Sequence, residues 1–294
     1  MSINYQELVP EKALGKEISR HIFQTYRAKT ELSHEIEQNI EHIKRLNPEY
    51  EYHLFDDEDI KAFILEHYGE VIWGYYQRIA PIYGAARADF FRYLLVYQLG
   101  GVYIDIKSSL DKPLKDVLRA EDQFILTHWD NRPGEQYEGI GIYPELGTLP
   151  RGEYIQWCIA SVAGHPFLRA VILQMLRNID EYTPFRHGAG LWGVLRTTGP
   201  VMYTKVIEAI RPTLVEGKDY RMLDKPQEIG LRYSIFDTAG VYGHKKALKA
   251  NYNKAYTPII VTPDRPLYAK CAKYYLFARL AIRVLGDKIA ARLK

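Results

Sequence analysis

Asp89 and Arg92 stand three residues apart within residues 86–99, a segment whose apolar residues recur at helical spacing. Residues three apart share one face of a helix, so this acid and this base can pair with each other or bind one ligand. Asp105 follows an apolar segment that begins at Val102. A carboxylate at the carboxyl end of a parallel strand lies where α/β domains bind ligands. The spacing therefore predicts a polar ligand site shared by a helix and a strand end.

The two elements that must position these side chains are joined by Gly100-Gly101, which predicts a helix end because glycine adopts left-handed backbone conformations without steric cost. Alternation along a strand over residues 102–107 would place Asp105 and Lys107 on one face. We therefore expect the Asp105 and Lys107 side chains to point the same way.

Residues 87–105 resemble the helix-and-strand signature R-x-S/A-D-x-x-R-Y-x-x-L-x-x-x-G-G-x-Y-x-D-x-D of the DxD-containing glycosyltransferases, a family of yeast initiating mannosyltransferases and bacterial capsular-polysaccharide sugar transferases. The residues that carry the resemblance are Arg87, Ala88, Asp89, Arg92, Tyr93, Leu99 in place of other apolar residues, Gly100, Gly101, Tyr103 and Asp105. Lys107 stands where the family has its last Asp.

Four further segments look like family motifs in the family's order. Residues 18–26 resemble its opening strand, 47–57 its second strand, 164–168 its G-H-P-F helix start and 198–200 its T-G-P turn. Several short matches in order are more specific than any one of them.

The resemblance implies a nucleotide-sugar donor, UDP- or GDP-linked, and a divalent cation, Mn²⁺ or Mg²⁺. It assigns catalytic contacts with the donor to Asp89, Arg92 and Asp105. Residues implied to bind the donor are Gln24, Thr25, Tyr26, Gly100, Gly101 and Lys107. Tyr26 either stacks on the nucleobase or belongs to the core.

The metal expectation rests on Asp105, with His244 as a candidate second ligand. Lys107 opposes it, because an ammonium beside Asp105 repels a divalent cation by about 1 kcal/mol or more in a partly buried site. Lys107 either contacts the donor diphosphate or turns aside. Asp56 to Asp59 resemble a metal cluster, but carboxylates at this position are typical of a helix N-terminus.

The order of predicted elements indicates an α/β fold with a mostly parallel sheet and helices on both faces. Strands are expected over 18–26, 50–55, 102–107, 123–128 and 155–163, and helices over 31–46, 59–67, 86–99 and 166–179, the last with His165 as its cap. Residues 130–152 form a loop long enough to be a binding loop or lid. The resemblance makes this a GT-A-type, Rossmann-like nucleotide-binding domain with helical additions. We assign it residues 1–266, followed by a basic amphipathic helix over 267–294.

Composition excludes several classes of protein. Of the 294 residues 47% are hydrophobic and 26% charged, as in a soluble globular protein, and no apolar run approaches the ~20 residues of a membrane span. The first 15 residues do not predict a secretory signal. Cys158 and Cys271 have no metal or redox spacing, which suits a reducing cytoplasm.

The excess of Lys and Arg is concentrated after Tyr268, so the net charge of +3 does not indicate nucleic-acid binding. Basic residues interleaved with aromatic and aliphatic ones favour a helix on an anionic membrane surface, here the inner face of the cell membrane. The alternative is a solvated helix packed on the domain.

We therefore expect a glycosyltransferase that moves a hexose to a glycan or lipid-linked acceptor during surface-polysaccharide synthesis, with retention implied by the resemblance. Two alternatives remain open: a sugar-nucleotide-binding scaffold without catalysis, and a toxin-like transferase that glycosylates a protein.

Overall fold

The computed structural model of the chain describes residues 3–147, 149–236, 255, 257–261, 271, 274–276 and 278. Its α-helices are α1 (Tyr5–Leu8), α2 (His34–Leu46), α3 (Asp57–Arg78), α4 (Gly84–Leu99), α5 (Leu114–Val117), α6 (Pro166–Asp180), α7 (Pro184–His187), α8 (Gly190–Thr197) and α9 (Pro200–Ile210). Its strands are β1 (His21–Thr25), β2 (Glu51–Phe55), β3 (Gly101–Ile104), β4 (Ser109–Leu110), β5 (Ile125–Thr127), β6 (Cys158–Ser161), β7 (Arg221–Leu223) and β8 (Leu231–Arg232).

The central sheet has four strands in the order β2-β1-β3-β6. β1 pairs in parallel with both β2 and β3, whereas β6 pairs with β3 in the antiparallel direction. Two smaller sheets pair β4 with β8 and β5 with β7. The predicted α/β class with a mostly parallel sheet is confirmed.

Helices cover both faces of this sheet. Phe23, Tyr103 and Ile159 face a large core shared with α3, α4 and α6. Ile22 and Val102 face the opposite side and belong to a second core that includes α2. Side chains alternate along each strand, so one sheet contributes to two separate cores.

The β1-α2-β2 unit follows its local sequence signals. Ile36, Ile40 and Ile43 recur at helical spacing and are buried, which fixes the inner face of α2. Asn47 ends the helix, and its side-chain amide donates to the carbonyl of Ile43 at 2.9 Å. Short connections of this kind leave β1 and β2 side by side in parallel register.

α3 begins in a capping box, as the acidic run predicts. The Asp56 carboxylate accepts from the amides of Glu58 and Asp59, and the Asp59 side chain accepts from the amide of Asp56. The helix extends beyond the predicted end near residue 67, because Gly69 adopts φ 76° and joins a second helical stretch after a kink.

α4 is buried over most of its length and stops at Gly100, whose φ is 69°. β3 follows immediately at Gly101, where φ is 95°. A Cβ at Gly101 would lie 2.9 Å from the carbonyl oxygen of His21 on the neighbouring strand. Glycine is thus required by both backbone conformation and the close approach of β1.

The predicted elements after residue 150 lie where the sequence places them, but their lengths differ. β6 is shorter than predicted, and α6 begins at Pro166 with the His165 ring nitrogen accepting from the amide of Phe167 at 3.2 Å. The predicted loop over 130–152 contains a short 3-10 helix, Pro144–Leu146. Asn131 donates across the loop to the carbonyl of Ile140 at 2.7 Å, so this part is tethered from within.

None of the helices in the described part of the chain is both long and apolar enough to cross a bilayer. His244 and most of the predicted C-terminal helix lie outside the described residues. At the described positions of that segment, Leu276 is buried and the ring of Tyr275 lies 4.3 Å from that of Phe185.

Candidate active site

Asp105 stands at the carboxyl end of β3, where the chain leaves the sheet. The strand ends at Ile104, and residues 105–108 turn, with the Ser108 amide donating to the Asp105 carbonyl at 2.8 Å. The prediction that strand alternation continues to Lys107 is therefore wrong. The turn nevertheless returns the Lys107 ammonium to the Asp105 carboxylate, where it pairs with Oδ2. The Tyr233 ring lies 4.6 Å from the same ammonium.

Arg92 joins the helix to the strand end. Its side chain is only 4% exposed, and Nη2 lies 3.0 Å from Asp105 Oδ1. Nη1 donates to the carbonyl of Gln156 at 2.7 Å, and the guanidinium lies 4.7 Å from the Tyr103 ring centre. The N–H groups and one face of the planar guanidinium are thus used, and its orientation is fixed.

Asp89 is more than the helix partner of Arg92. Its Oδ1 lies 3.4 Å from Arg92 Nη2 and accepts from Gln156 Nε2 at 3.0 Å. Its Oδ2 accepts from the Thr198 hydroxyl at 2.9 Å. With the side chain 3% exposed, this carboxylate is held from three directions.

Burial and the neighbouring cations act in opposite directions on the two carboxyl groups. Burial raises the pKa of Asp89, and Arg92 only partly offsets it. Burial also acts to raise the pKa of Asp105, but Arg92 and Lys107 outweigh it and hold that pKa below its usual value. Burial lowers the pKa of Lys107, although Asp105 opposes the shift. Asp105 is therefore the firmly ionised carboxylate of the pair.

The end of β1 supports Asp105 from the next strand. Gln24 Nε2 donates to the Asp105 carbonyl at 3.0 Å, and the Thr25 hydroxyl lies 3.0 Å from the Tyr103 hydroxyl. Tyr26 follows the strand and is partly buried against a small cluster that contains Ile106. The structure thus brings all three predicted residues of this strand end close to the β3 terminus.

Gly100 and Gly101 do not lie at the site. They stand at the amino end of β3, opposite Asp105, and a Cβ on Gly100 would come 2.7 Å from the amide nitrogen of Ala163. Their conformations and close contacts account for the glycines structurally. The structure places both glycines in the helix-to-strand connection, away from Asp105, and their predicted donor contact stays a prediction. The predicted ligand His244 is outside the described residues.

Gln156 and Thr198 were missed by sequence reasoning. Thr198 belongs to the T-G-P segment, which offered a signal without indicating a contact, whereas Gln156 carries no local signal. The Tyr93 hydroxyl lies 2.8 Å from Gln156 Oε1 and 2.9 Å from the Thr198 carbonyl, so one tyrosine ties both residues to α4.

The four charged side chains form a cluster that we call the charge quartet: Asp89, Arg92, Asp105 and Lys107. It contains two acids and two bases in contact. Such a buried arrangement is stable only because each charge is paired. A ligand that brings phosphate oxygens or sugar hydroxyls can take over one partner of a pair while the others stay fixed.

The carboxylates of the quartet do not fit a divalent cation as they stand. Mg²⁺ and Mn²⁺ require oxygen ligands with accessible lone pairs. Asp105 contacts Arg92 through one oxygen and Lys107 through the other. Within the described ranges, the group of three metal-ligating side chains with converging donor atoms lies elsewhere, at His21, Glu51 and His53.

Residues 33–125 match the sequence model described as the glycosyltransferase sugar-binding region containing a DXD motif. The predicted resemblance to the DxD-containing glycosyltransferases is confirmed over this region. The match spans the whole charge quartet and α4. In this chain the DXD-type position reads Asp105-Ile106-Lys107.

Curated relatives of the chain are fungal mannosyltransferases. The initiation-specific alpha-1,6-mannosyltransferase of Candida albicans is 30% identical over 178 residues, which cover 55% of this chain and 44% of that protein. The Schizosaccharomyces pombe protein of the same name is 28% identical over 179 residues, 55% of this chain and 42% of that protein. Inositol phosphoceramide mannosyltransferase 3 of the same yeast is 28% identical over 166 residues, which cover 56% of this chain and 38% of that protein. The chain thus spans less than half the length of these relatives.

Among solved structures, the chain is similar to the PaToxG glycosyltransferase at 17% identity, and the match covers 92% of this chain and 90% of that chain with a TM-score of 0.46. The UDP-bound glycosyltransferase domain of the YGT toxin is 10% identical, and the match covers 82% of this chain and 88% of that chain with a TM-score of 0.41.

Proposed function

We propose that the protein is a glycosyltransferase that moves a hexose from a nucleotide-sugar donor to a glycan or lipid-linked acceptor. The observation that carries the proposal is the charge quartet at the carboxyl ends of β1 and β3, inside the region that matches the family. Fungal relatives named as mannosyltransferases make a nucleotide-linked mannose the first donor to test. Surface-polysaccharide synthesis is the proposed setting.

Each member of the quartet has a distinct proposed role. Transfer breaks the bond between the sugar's anomeric carbon and the diphosphate oxygen, so negative charge grows on the leaving diphosphate. Lys107 leaves Asp105 for that diphosphate, and Arg92 faces the donor sugar. Asp105, ionised and partly accessible, accepts from donor hydroxyls. Asp89 holds Arg92 in place through its contacts with Gln156 and Thr198.

A divalent cation, which the match to a DXD-containing region suggests, finds no free oxygen on either carboxylate of the quartet. The ammonium of Lys107 supplies a fixed positive charge at the position of the second Asp. We therefore assign the neutralisation of the diphosphate to Lys107.

The family resemblance implies that transfer retains the anomeric configuration. We propose that the acceptor attacks on the same face of the sugar from which the diphosphate leaves. A double displacement needs a free carboxylate beside the anomeric carbon. Both oxygens of Asp89 are paired and almost fully buried, and Asp105 is engaged by Arg92 and, in the proposed complex, by donor hydroxyls. In the proposed reaction the leaving diphosphate itself assists deprotonation of the acceptor, and NMR of the product gives its anomeric configuration.

The location of the protein is proposed to be the cytoplasm, with attachment to the inner face of the cell membrane through residues 267–294. The support is the basic and aromatic composition of that segment. The contacts of Leu276 and Tyr275 favour the alternative, in which the segment packs on the domain. Flotation with anionic vesicles at low salt decides between the two: the full chain floats in the first case and stays at the bottom in the second.

The decisive experiment is a screen of UDP- and GDP-linked hexoses for thermal stabilisation, followed by a transfer assay. A donor at 100 times its Kd stabilises the folded state by about 2.7 kcal/mol. We expect one donor to stabilise the wild type and the exposed control variant Glu66→Gln, and to lose its effect in Asp105→Asn. Donor binding without transfer or hydrolysis would favour the scaffold alternative, and normal turnover by Asp105→Asn would contradict the assignment.

A further inference from the structure

His21, Glu51 and His53 converge at the opposite end of the sheet from Asp105. His21 opens β1 and is the register partner of Glu51, which opens β2. His53 follows Glu51 by two residues and therefore lies on the same face of β2. Gln24, three residues beyond His21, contacts Asp105, so the two sites are separated by about 10 Å of strand.

The donor atoms of this histidine cluster, as we call these three residues, are spaced like the ligands of one metal ion. His21 Nδ1 lies 3.0 Å from His53 Nε2. Glu51 Oε2 lies 3.7 Å from His21 Nδ1, and Glu51 Oε1 lies 3.6 Å from His53 Nε2. A tetrahedral zinc ion with bonds of about 2.0–2.1 Å separates its ligand atoms by about 3.4 Å. Small side-chain movements alone would give this spacing.

Neighbouring side chains already orient the two imidazoles towards each other, as metal binding requires. Their facing nitrogens are at hydrogen-bond distance, so one carries a proton and the other presents its lone pair. The Phe23 ring stacks on both, at 5.8 Å from His21 and 5.3 Å from His53, and restricts their rotation.

The cluster is also open to solvent. The Glu51 side chain is 68% exposed, so a hydrated ion can enter, and a water molecule can complete four-coordination. Two imidazoles and one carboxylate form a donor set suited to zinc, whereas Mg²⁺ and Ca²⁺ prefer oxygen ligands alone.

We propose that the histidine cluster is a zinc site that fastens the edge strand β2 to β1. Zn²⁺ takes the place of the proton between His21 and His53, and the ring that loses this proton takes one up on its other nitrogen, so both ligands remain neutral imidazoles. Glu51 supplies the third ligand from the first residue of β2. The site is independent of the charge quartet and of the proposed transferase activity.

The test uses the full chain without a histidine tag, stripped with a chelator and titrated with Zn²⁺ in an isothermal calorimeter. We expect one equivalent of Zn²⁺ to bind. Co²⁺ should bind in the same place and show the visible absorption of a tetrahedral nitrogen and oxygen site. Saturating Zn²⁺ should raise the Tm of the wild type.

The variants separate this site from incidental zinc binding. Glu51→Gln changes an exposed side chain and should weaken binding at least tenfold, and His21→Gln/His53→Gln should abolish both binding and the cobalt absorption. His34→Gln, at the exposed start of α2, is the matched control and should bind as the wild type does. Zinc binding that is absent from the wild type, or unchanged in the double variant, would overturn the proposal.

Discussion

At the scale of single residues, Arg92 is the member of the charge quartet on which the others depend. It contacts both Asp105 and Asp89 and is itself fixed by the Gln156 carbonyl. Removing one partner of a buried pair leaves the other charge uncompensated, at a cost of about 3–5 kcal/mol. Informative substitutions therefore change another member of the quartet and leave Arg92 in place.

Lys107 pairs with Asp105 alone among the quartet, so its substitution leaves the contacts of Arg92 in place. We expect Lys107→Met, which keeps the length of the side chain and removes its charge, to weaken donor binding roughly 10- to 100-fold, since a hydrogen bond to a charged group contributes about 1.5–3 kcal/mol. Lys107→Asp should make donor binding dependent on Mn²⁺, because it adds a carboxylate ligand beside Asp105. Titration calorimetry with and without a chelator measures both effects. Lys115→Met, on the exposed side of α5, is the control, and unchanged donor affinity in both Lys107 variants would place the ammonium away from the donor.

Asp89 tests positioning as distinct from direct contact. Asp89→Asn preserves the size of the side chain but removes the charge that faces Arg92, so Arg92 should bind the donor sugar less productively. We expect kcat to fall at least tenfold with a smaller change in KM, whereas Asp105→Asn should impair donor binding itself. Steady-state kinetics of the two variants gives the comparison, and equal effects of Asp89→Asn on KM and kcat would argue against a positioning role.

At the scale of elements, the connection from α4 to β3 sets where Asp105 lies. α4 carries Asp89 and Arg92, and β3 carries Asp105 after only four strand residues. The two glycines let the chain reverse without a spacer, so the helix and the strand are joined as one rigid unit. The relative position of the three site residues therefore depends on a backbone that other residues adopt only with strain.

We expect Gly101→Ala to destabilise the fold by about 1–3 kcal/mol, because φ is 95° there and the added Cβ would lie 2.9 Å from the His21 carbonyl oxygen. Gly74→Ala is the matched control: it lies within α3, and a Cβ there meets nothing within 4 Å. Alanine in an open helix position is favoured by about 0.5–1 kcal/mol. Urea unfolding of the two variants should give changes of opposite sign in the free energy of unfolding. A Gly101→Ala protein as stable as the wild type would show that β1 moves to accommodate the added Cβ.

At the scale of the whole molecule, buried polar groups make stability depend on pH. Burial raises the pKa of Glu153 to about 8, although Trp129 donates a hydrogen bond to its Oε1 at 2.7 Å. Among the described residues its Oε2 has no hydrogen-bond partner. The folded protein therefore holds a proton here that the unfolded chain releases above its ordinary pKa of 4.5.

Because the folded state binds the additional proton, the contribution of Glu153 to the free energy of unfolding falls as pH rises. The slope is about 1.4 kcal/mol per pH unit at most, and it ends once the folded state also ionises near pH 8. Glu153→Gln removes this term. We expect the stability of the variant relative to the wild type to increase between about pH 5 and about pH 8 and then to stay constant. Urea unfolding across that range measures it, and a difference independent of pH would mean that Glu153 is ionised in the folded state.

Much of the fold was predictable because its signals are local. Asn47 and the isoleucine spacing define α2, the acidic run defines the start of α3, and Pro166 with His165 defines the start of α6. Each depends on capping or periodicity within a few residues. The kink at Gly69 was not predictable from local signals, because a positive φ inside a longer helix is decided by the packing on either side.

The chemical identity of the candidate site was determined by the sequence alone, because Asp89, Arg92 and Asp105 stand on consecutive elements with a fixed two-glycine connection. The tertiary structure decided which partners hold them. Gln156 and Thr198 reach Asp89 from 67 and 109 residues away, and contacts at such separations leave no periodic or capping pattern in the sequence. It also decided the direction of Lys107, since a turn and not the alternation of a strand brings its ammonium to Asp105. Local propensity fixes helices and strands, but the pairing of buried charges depends on how those elements pack.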